Sequence, residues 1–361
     1  MPDPVVQTSR GALRGIGVGG VHAFLGVPYA QAARFEAPVP VAEWTGVRDA
    51  QAFGPMAPQT DPRADAPGYG IILERMGAPA GTPPPEDEDC QRLNIWTSDL
   101  HPERLKPVMV WLHPGFFMVG TGASGNGATL AARGDVVTVS LNHRLNLFGF
   151  THLDDIAPGF SGSGNAGMLD IVAALEWMRD NIDRFGGDPG RVMVFGASGG
   201  GMKTAWLMTS PRGCGLLHRA GAQSGPCLTF MERHEAPAVT ERLLHKLGLS
   251  PAQADQLRTL PVKTLLDAYH QLRQEHRPSR FTHLASFAPV LDPDLLPRHP
   301  FSPDATPSAR DIPMLMGWNR EDMAFFTGDD LPALDLDAAA LRQRLTDRFG
   351  ARSCGRFRDR I

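Results

Sequence analysis

Ser198 stands in the run Gly196-Ala197-Ser198-Gly199-Gly200, after the apolar stretch Val192–Phe195 and before a segment of helical pattern. A serine flanked by glycines between a strand and a helix is the G-x-S-x-G arrangement. The turn is too tight for flanking side chains and presents the hydroxyl as a nucleophile. The same residues also fit an ordinary strand-to-helix turn. A hydroxyl alone is a weak nucleophile. It needs a base, an acid that orients the base, and main-chain donors for the oxyanion that forms on the attacked carbonyl. One donor is expected at the residue after the nucleophile, here the N–H of Gly199, and the others in the turn after an earlier strand. The turn His113-Pro114-Gly115-Phe116-Phe117 follows the apolar run Val108–Leu112 and occupies that place. His113 precedes the turn and reads as a turn residue pointing away from Ser198, not as the base.

The elements that must position these residues are legible as patterns. Leu93–Trp96, Val108–Leu112, Val136–Leu141 and Val192–Phe195 are short runs apolar on both faces, which suits a parallel sheet covered by helices. Between the last two, Met168, Val172, Leu175 and Met178 recur at helical spacing, and Gly186-Gly187 stop the helix. A further helix is expected after Ser198, helical segments over 237–280, and a strand over Ile312–Met316. This alternation predicts an α/β fold with a mostly parallel, doubly wound sheet. Residues 1–100 read as a small N-terminal antiparallel lobe with a Pro/Gly/acid-rich rim loop over 60–89. Residues 101–235 read as the core with the serine turn, 236–285 as a helical cap, and 286–361 as the last strand and tail of one single domain.

Of the 361 residues 42% are apolar and 20% charged, enough for a sizeable core, and the formal net charge is −4. No basic surplus points to nucleic acid or an anionic membrane, and no apolar run approaches the roughly 18 residues of a membrane helix. The four cysteines (Cys90, Cys214, Cys227 and Cys354) fit no zinc spacing, so neither a metal nor a cofactor is expected. With no leader pattern at the N-terminus, they read as free thiols in a cytoplasmic protein.

Several blocks carry a closer resemblance. FGGDPGRVMVFGASGG (Phe185–Gly200) and EDCQRLNIW (Glu88–Trp96) resemble the two signatures of the type-B carboxylesterase family of the α/β-hydrolase superfamily, with Gln91 where a leucine is usual. That family includes cholinesterases and bacterial esterases active on p-nitrobenzyl esters. FLGVPYA, FGPMAPQ, LNHRLNLFGF, GNAGMLDIVAALEW, FAPVLDPDLLP and PMLMGWNREDMAFF resemble further blocks in family order. The resemblance implies an α/β-hydrolase fold and a serine carboxylesterase that splits a small-molecule ester through an acyl-enzyme. Ser198 is then the nucleophile and Asp322 the acid, where the family usually has Glu, with Glu321 as the alternative. Gly115, Phe116 and Gly199 supply the oxyanion donors, and Phe116, Phe117, Met118 and Ala197 border the pocket.

The chain also departs from the family. Pro114 and Phe116 replace two glycines of the family's oxyanion turn. Ala197 replaces the acid beside the serine, which argues against cationic substrates. Ala57 stands where secreted members pair a cysteine with Cys90. The family histidine lies well beyond the acid, and none of the twelve histidines here follows Asp322. The expectation is a C-terminally truncated or frame-shifted version of a longer chain, whose missing part holds the last strands and the base. Two alternatives stay open: a catalytically impaired or non-catalytic member of the fold, and an amidase or carbamate hydrolase of the same mechanism.

Overall fold

The computed structural model describes residues 3–61, 83–125, 127–275, 287–320, 322 and 336–349. Among these, the strands in chain order are β1 (Val5–Gln7), β2 (Ala12–Arg14), β3 (Ile16–Val18), β4 (Val21–Pro28), β5 (Ala30–Gln31), β6 (Val39–Pro40), β7 (Val47–Asp49), β8 (Arg92–Thr97), β9 (Lys106–Leu112), β10 (Val137–Leu141), β11 (Gly187–Ala197), β12 (Arg219–Gln223) and β13 (Met314–Gly317). Eight of them form one sheet in the order β13-β12-β11-β9-β10-β8-β4-β3. From β10 to β13 every neighbouring pair is parallel. β8, β4 and β3 extend the sheet antiparallel.

The apolar runs account for the centre of this sheet. Val108, Val110 and Leu112 of β9 are buried, in register with Val137 and Val139 of β10 and with Val192, Val194 and Gly196 of β11. One pairing differs from the parallel expectation: Leu93–Trp96 lies in β8, which runs antiparallel to both of its neighbours. A strand buried on both faces looks alike in either direction, so its composition carries no sign of polarity. β4 also joins the main sheet, whereas β1, β2 and β7 form a separate three-stranded one.

The described helices are α1 (Gly127–Gly134), α2 (Asn146–Phe150), α3 (Ala166–Asn181), α4 (Gly199–Thr209), α5 (Ala236–Lys246), α6 (Val262–Glu275) and α7 (Ala338–Phe349). α3 buries Met168, Val172, Leu175 and Met178 as their spacing requires, and Gly186 caps the 3-10 turn that follows it. Most of the rim loop (62–82), residues 276–285 of the cap, and residues 350–361 with Cys354 lie outside the described residues. Cys90, Cys214 and Cys227 are free thiols, and Cys90 packs against Ala57, the position where the family resemblance places a cysteine partner.

One buried ion pair ties the layers together. Arg144 donates to the Asp170 carboxylate from its backbone N–H (2.9 Å), Nε (2.9 Å) and Nη2 (2.7 Å), and from Nη1 to the Ala33 carbonyl (3.1 Å). Asp170 lies on α3 and is fully buried. Removing one charge from such a pair strands the other away from water. Asp170→Ala is therefore expected to lower the unfolding free energy by about 3–5 kcal/mol in chemical denaturation.

Candidate active site

The site forms where the C-terminal ends of the parallel strands meet, the usual position in an open α/β sheet. Ser198 joins β11 to α4 with φ 52° and ψ −117°, a left-handed backbone that a serine seldom adopts. Such a conformation costs on the order of 1–3 kcal/mol and persists only when the surroundings hold it. They do: the Ser198 N–H donates to the Gln223 carbonyl at 2.7 Å, and the Met202 N–H donates to the Ser198 carbonyl at 3.1 Å. One strand further, the Ser224 N–H donates to the Gly317 carbonyl at 2.7 Å. The ends of β11, β12 and β13 are thus stitched level.

The other half is the turn after β9. Gly115 has φ 99° and Phe116 φ 55°. Phe116 therefore does take up a glycine-like backbone, at a cost of the same order as Ser198. The Met118 and Val119 N–H groups close the turn on the Gly115 carbonyl at 3.1 and 3.2 Å. The Asn146 N–H holds the Phe117 carbonyl (2.7 Å), and its Nδ2 holds those of Met118 (3.2 Å) and Pro58 (2.9 Å). Gln59 clasps Gly120 by both its N–H (2.7 Å) and its carbonyl (3.1 Å).

The two halves touch through backbone. A Cβ built on Gly199 would fall 2.4 Å from the nitrogen and the oxygen of Phe116 and 2.5 Å from its Cα. A Cβ on Gly200 would fall 2.1 Å from the Leu112 carbonyl oxygen. The glycines beside the serine are needed because another chain segment occupies their side-chain space. Phe116 and Gly199 are thus in backbone contact, with Ala197 partly exposed beside Ser198 in the chain.

Asp322 is partly buried, and the Ser224 hydroxyl donates to its Oδ1 at 3.0 Å. Asn319 Nδ2 approaches the same oxygen at 3.5 Å. Glu321, the alternative acid, lies outside the described residues. Among the described residues no histidine hydrogen-bonds Ser198 or Asp322.

Two pocket expectations separate. Phe116 and Met118 are partly exposed, but Phe117 is 5% exposed and sits edge-on against Phe150 (5.2 Å) and Phe230 (6.2 Å). Phe117 belongs to the core, packed among aromatic rings, and is not a pocket residue. His113 is also buried. Its Nδ1–H donates to the Pro114 carbonyl at 2.8 Å, and its ring stacks on His143 at 5.0 Å. A cavity of about 740 Å³ opens elsewhere, between Gln59, Glu86, Glu88 and Leu266, with none of the candidate residues in its wall.

Spacing gave no sign of three residues that support the site, Gln59, Asn146 and Ser224, and little of a fourth, Lys203. The lysine carried the one faint signal, a single charge in the otherwise apolar and small-residue run of α4. Lys203 is fully buried, and burial pushes its ammonium down to about 7. Burial, with Lys203 adding to it, also holds His113 and His143 well below the ordinary imidazole range.

Known proteins similar to this chain give its family and fold. Residues 2–351 match the sequence model described as the carboxylesterase family. The chain is 38% identical over 336 residues to the para-nitrobenzyl esterase of Bacillus subtilis, covering 91% of itself and 65% of that protein. It is 37% identical over 356 residues to the phenmedipham hydrolase of Pseudarthrobacter oxydans, covering 96% and 67%. A solved structure described as a thermophilic PNB esterase superposes with TM-score 0.84 at 36% identity, over 99% of this chain and 71% of that one. The chain thus spans about two thirds of the length of these curated relatives.

Two outcomes follow from the site. Gly199→Ala overpacks the contact with Phe116 and should cost about 1–3 kcal/mol, read as a lower Tm. For Lys203, the unfolded chain binds a proton that the folded chain lacks between about 7 and the ordinary value of 10.5. Its destabilising contribution is therefore full below pH 7 and fades as the pH rises toward 10.5. Denaturation from about pH 7 to about pH 10 should show the wild type gaining stability relative to Lys203→Met.

Proposed function

The chain belongs to the carboxylesterase family, and from that membership we propose that it hydrolyses carboxylic esters with Ser198 as nucleophile. The fold is that of the α/β hydrolases. The observation that carries the proposal is the backbone contact between Gly199 and Phe116 beside a serine in a left-handed conformation. In this reading the main-chain N–H groups of Gly115, Phe116 and Gly199 serve one nucleophile, and the contact of Phe116 with Gly199 supports it.

In this reading the Ser198 oxygen attacks the ester carbonyl. The oxyanion is held by these donors, and collapse of the intermediate expels the alcohol and leaves an acyl-serine. Water then attacks the acyl group and releases the acid. Preformed donors act on charge that exists only in the transition state, and losing one costs roughly 10²–10³ in turnover. The Ser198 proton passes to a histidine base oriented by Asp322 and returns to the leaving alcohol; that histidine is absent from this chain or supplied from an unexpected position, since none of its twelve follows Asp322. Ser224 holds one carboxylate oxygen of Asp322, which fixes the acid's direction.

Substrates of this site are small and uncharged, since Ala197 and the partly exposed Phe116 and Met118 offer apolar contact and no carboxylate. Serine chemistry of this kind calls for no metal or cofactor, and the free thiols suit the cytoplasm. A second reading, a member of the fold with impaired catalysis, is favoured by one observation: no described histidine hydrogen-bonds Ser198 or Asp322.

A short-chain p-nitrophenyl ester separates the readings. Turnover that falls at least about 10³-fold in Ser198→Ala supports the esterase. Turnover at the Ser198→Ala level in the wild type, together with labelling of Ser198 by a fluorophosphonate, supports the impaired member. Wild-type hydrolysis that survives Ser198→Ala unchanged contradicts both.

A further inference from the structure

Lys203 has no place in the chemistry just described, yet it sits at the joint between the two halves of the site. It lies on α4, the helix that begins at the residue after Ser198, and its side chain is fully buried. Its Nζ donates to the His113 carbonyl at 3.0 Å and stands 5.8 Å from the centroid of the Phe117 ring. These two contacts bracket the turn, His113 just before Pro114-Gly115-Phe116 and Phe117 just after. No carboxylate of a described residue pairs with it. The basic groups around it, His113 and the His143 ring stacked on it, add no negative charge.

A buried amine without an acid is a costly residue to keep. Apolar side chains of similar volume would fill the same space. What they cannot do is donate a hydrogen bond to the buried His113 carbonyl, as Lys203 Nζ does. We propose that Lys203 is the positioning residue of the oxyanion turn, tying its entry to the nucleophile's own helix so that the amides of 115 and 116 stay in register with that of 199. This rests on the reading of that turn as the oxyanion donor. Both the ammonium and the neutral amine donate, so the tie holds on either side of the group's titration near 7.

Two variants of the full chain separate the donor from the packing. Lys203→Met keeps the apolar stem and removes the donor, while Lys203→Gln keeps an N–H donor on a stem one bond shorter. Hydrogen–deuterium exchange followed by mass spectrometry reads the peptide over residues 113–120. In Lys203→Met, exchange there should accelerate about fivefold to tenfold with β9 and the rest of α4 unchanged, and Lys203→Gln should restore most of the protection. A Met chain that fails to fold while the Gln chain folds also supports the tie.

Wild-type protection of the turn in Lys203→Met overturns the proposal, as does equal loosening, or equal failure to fold, in both variants. Affinity for a trifluoromethyl ketone, whose adduct places an oxyanion in the hole, is measured alongside with Ser198→Ala as control. The Met variant should bind it about tenfold more weakly, and the Gln variant within about threefold of wild type. If the turn loosens as expected but the wild type binds the ketone no better than Ser198→Ala, the tie stands and the esterase reading fails.

Discussion

The site depends on a contact with no side chains in it. Gly199 and Phe116 meet backbone to backbone, closer than any Cβ at 199 allows. A strand end and a helix start can approach in this way only if three conditions hold together. The serine accepts a left-handed turn, the helix opens on glycines, and the opposing turn bends back on itself through Gly115 and Phe116. Each is locally unfavourable, and together they bring the turn after β9 against the start of α4. The favourable side of that balance lies in the well-packed sheet below, where the valines and leucines of β9, β10 and β11 are withdrawn from water.

The molecule handles buried charge in two ways. Arg144 and Asp170 satisfy one another at three donors and carry the geometry of the loop after β10. Lys203 has only a carbonyl and an aromatic ring, and burial lowers its proton affinity. The first arrangement holds structure together. The second is the kind of local disadvantage expected where a site, not the fold, sets the residue. Of the two, it is Lys203 that bonds to the turn in contact with Gly199.

Much of this was legible from residue patterns. The period of Met168, Val172, Leu175 and Met178 specified α3, and the runs around Val110, Val139 and Val194 specified the sheet's centre, because burial on one stripe or on both faces leaves a mark in composition. The serine turn was legible because its steric demands select glycine. The direction of β8 was not, since a strand buried on both faces carries no polarity. The inward turn of Phe117 was hidden because neighbouring residues in a tight turn face opposite ways without a fixed period. Ser224 meets Asp322 across a long stretch of chain, and Gln59 meets Gly120 likewise. Such contacts come from topology, which local spacing does not encode.

The most direct test is a crystal structure of the chain with an alkyl boronic acid bound. The account predicts a covalent bond from Ser198 Oγ to boron, with one boronate oxygen about 2.7–3.1 Å from the backbone nitrogens of Gly115, Phe116 and Gly199. A boronate attached elsewhere, or one on Ser198 whose oxygens reach only solvent while those three amides point away, would contradict it.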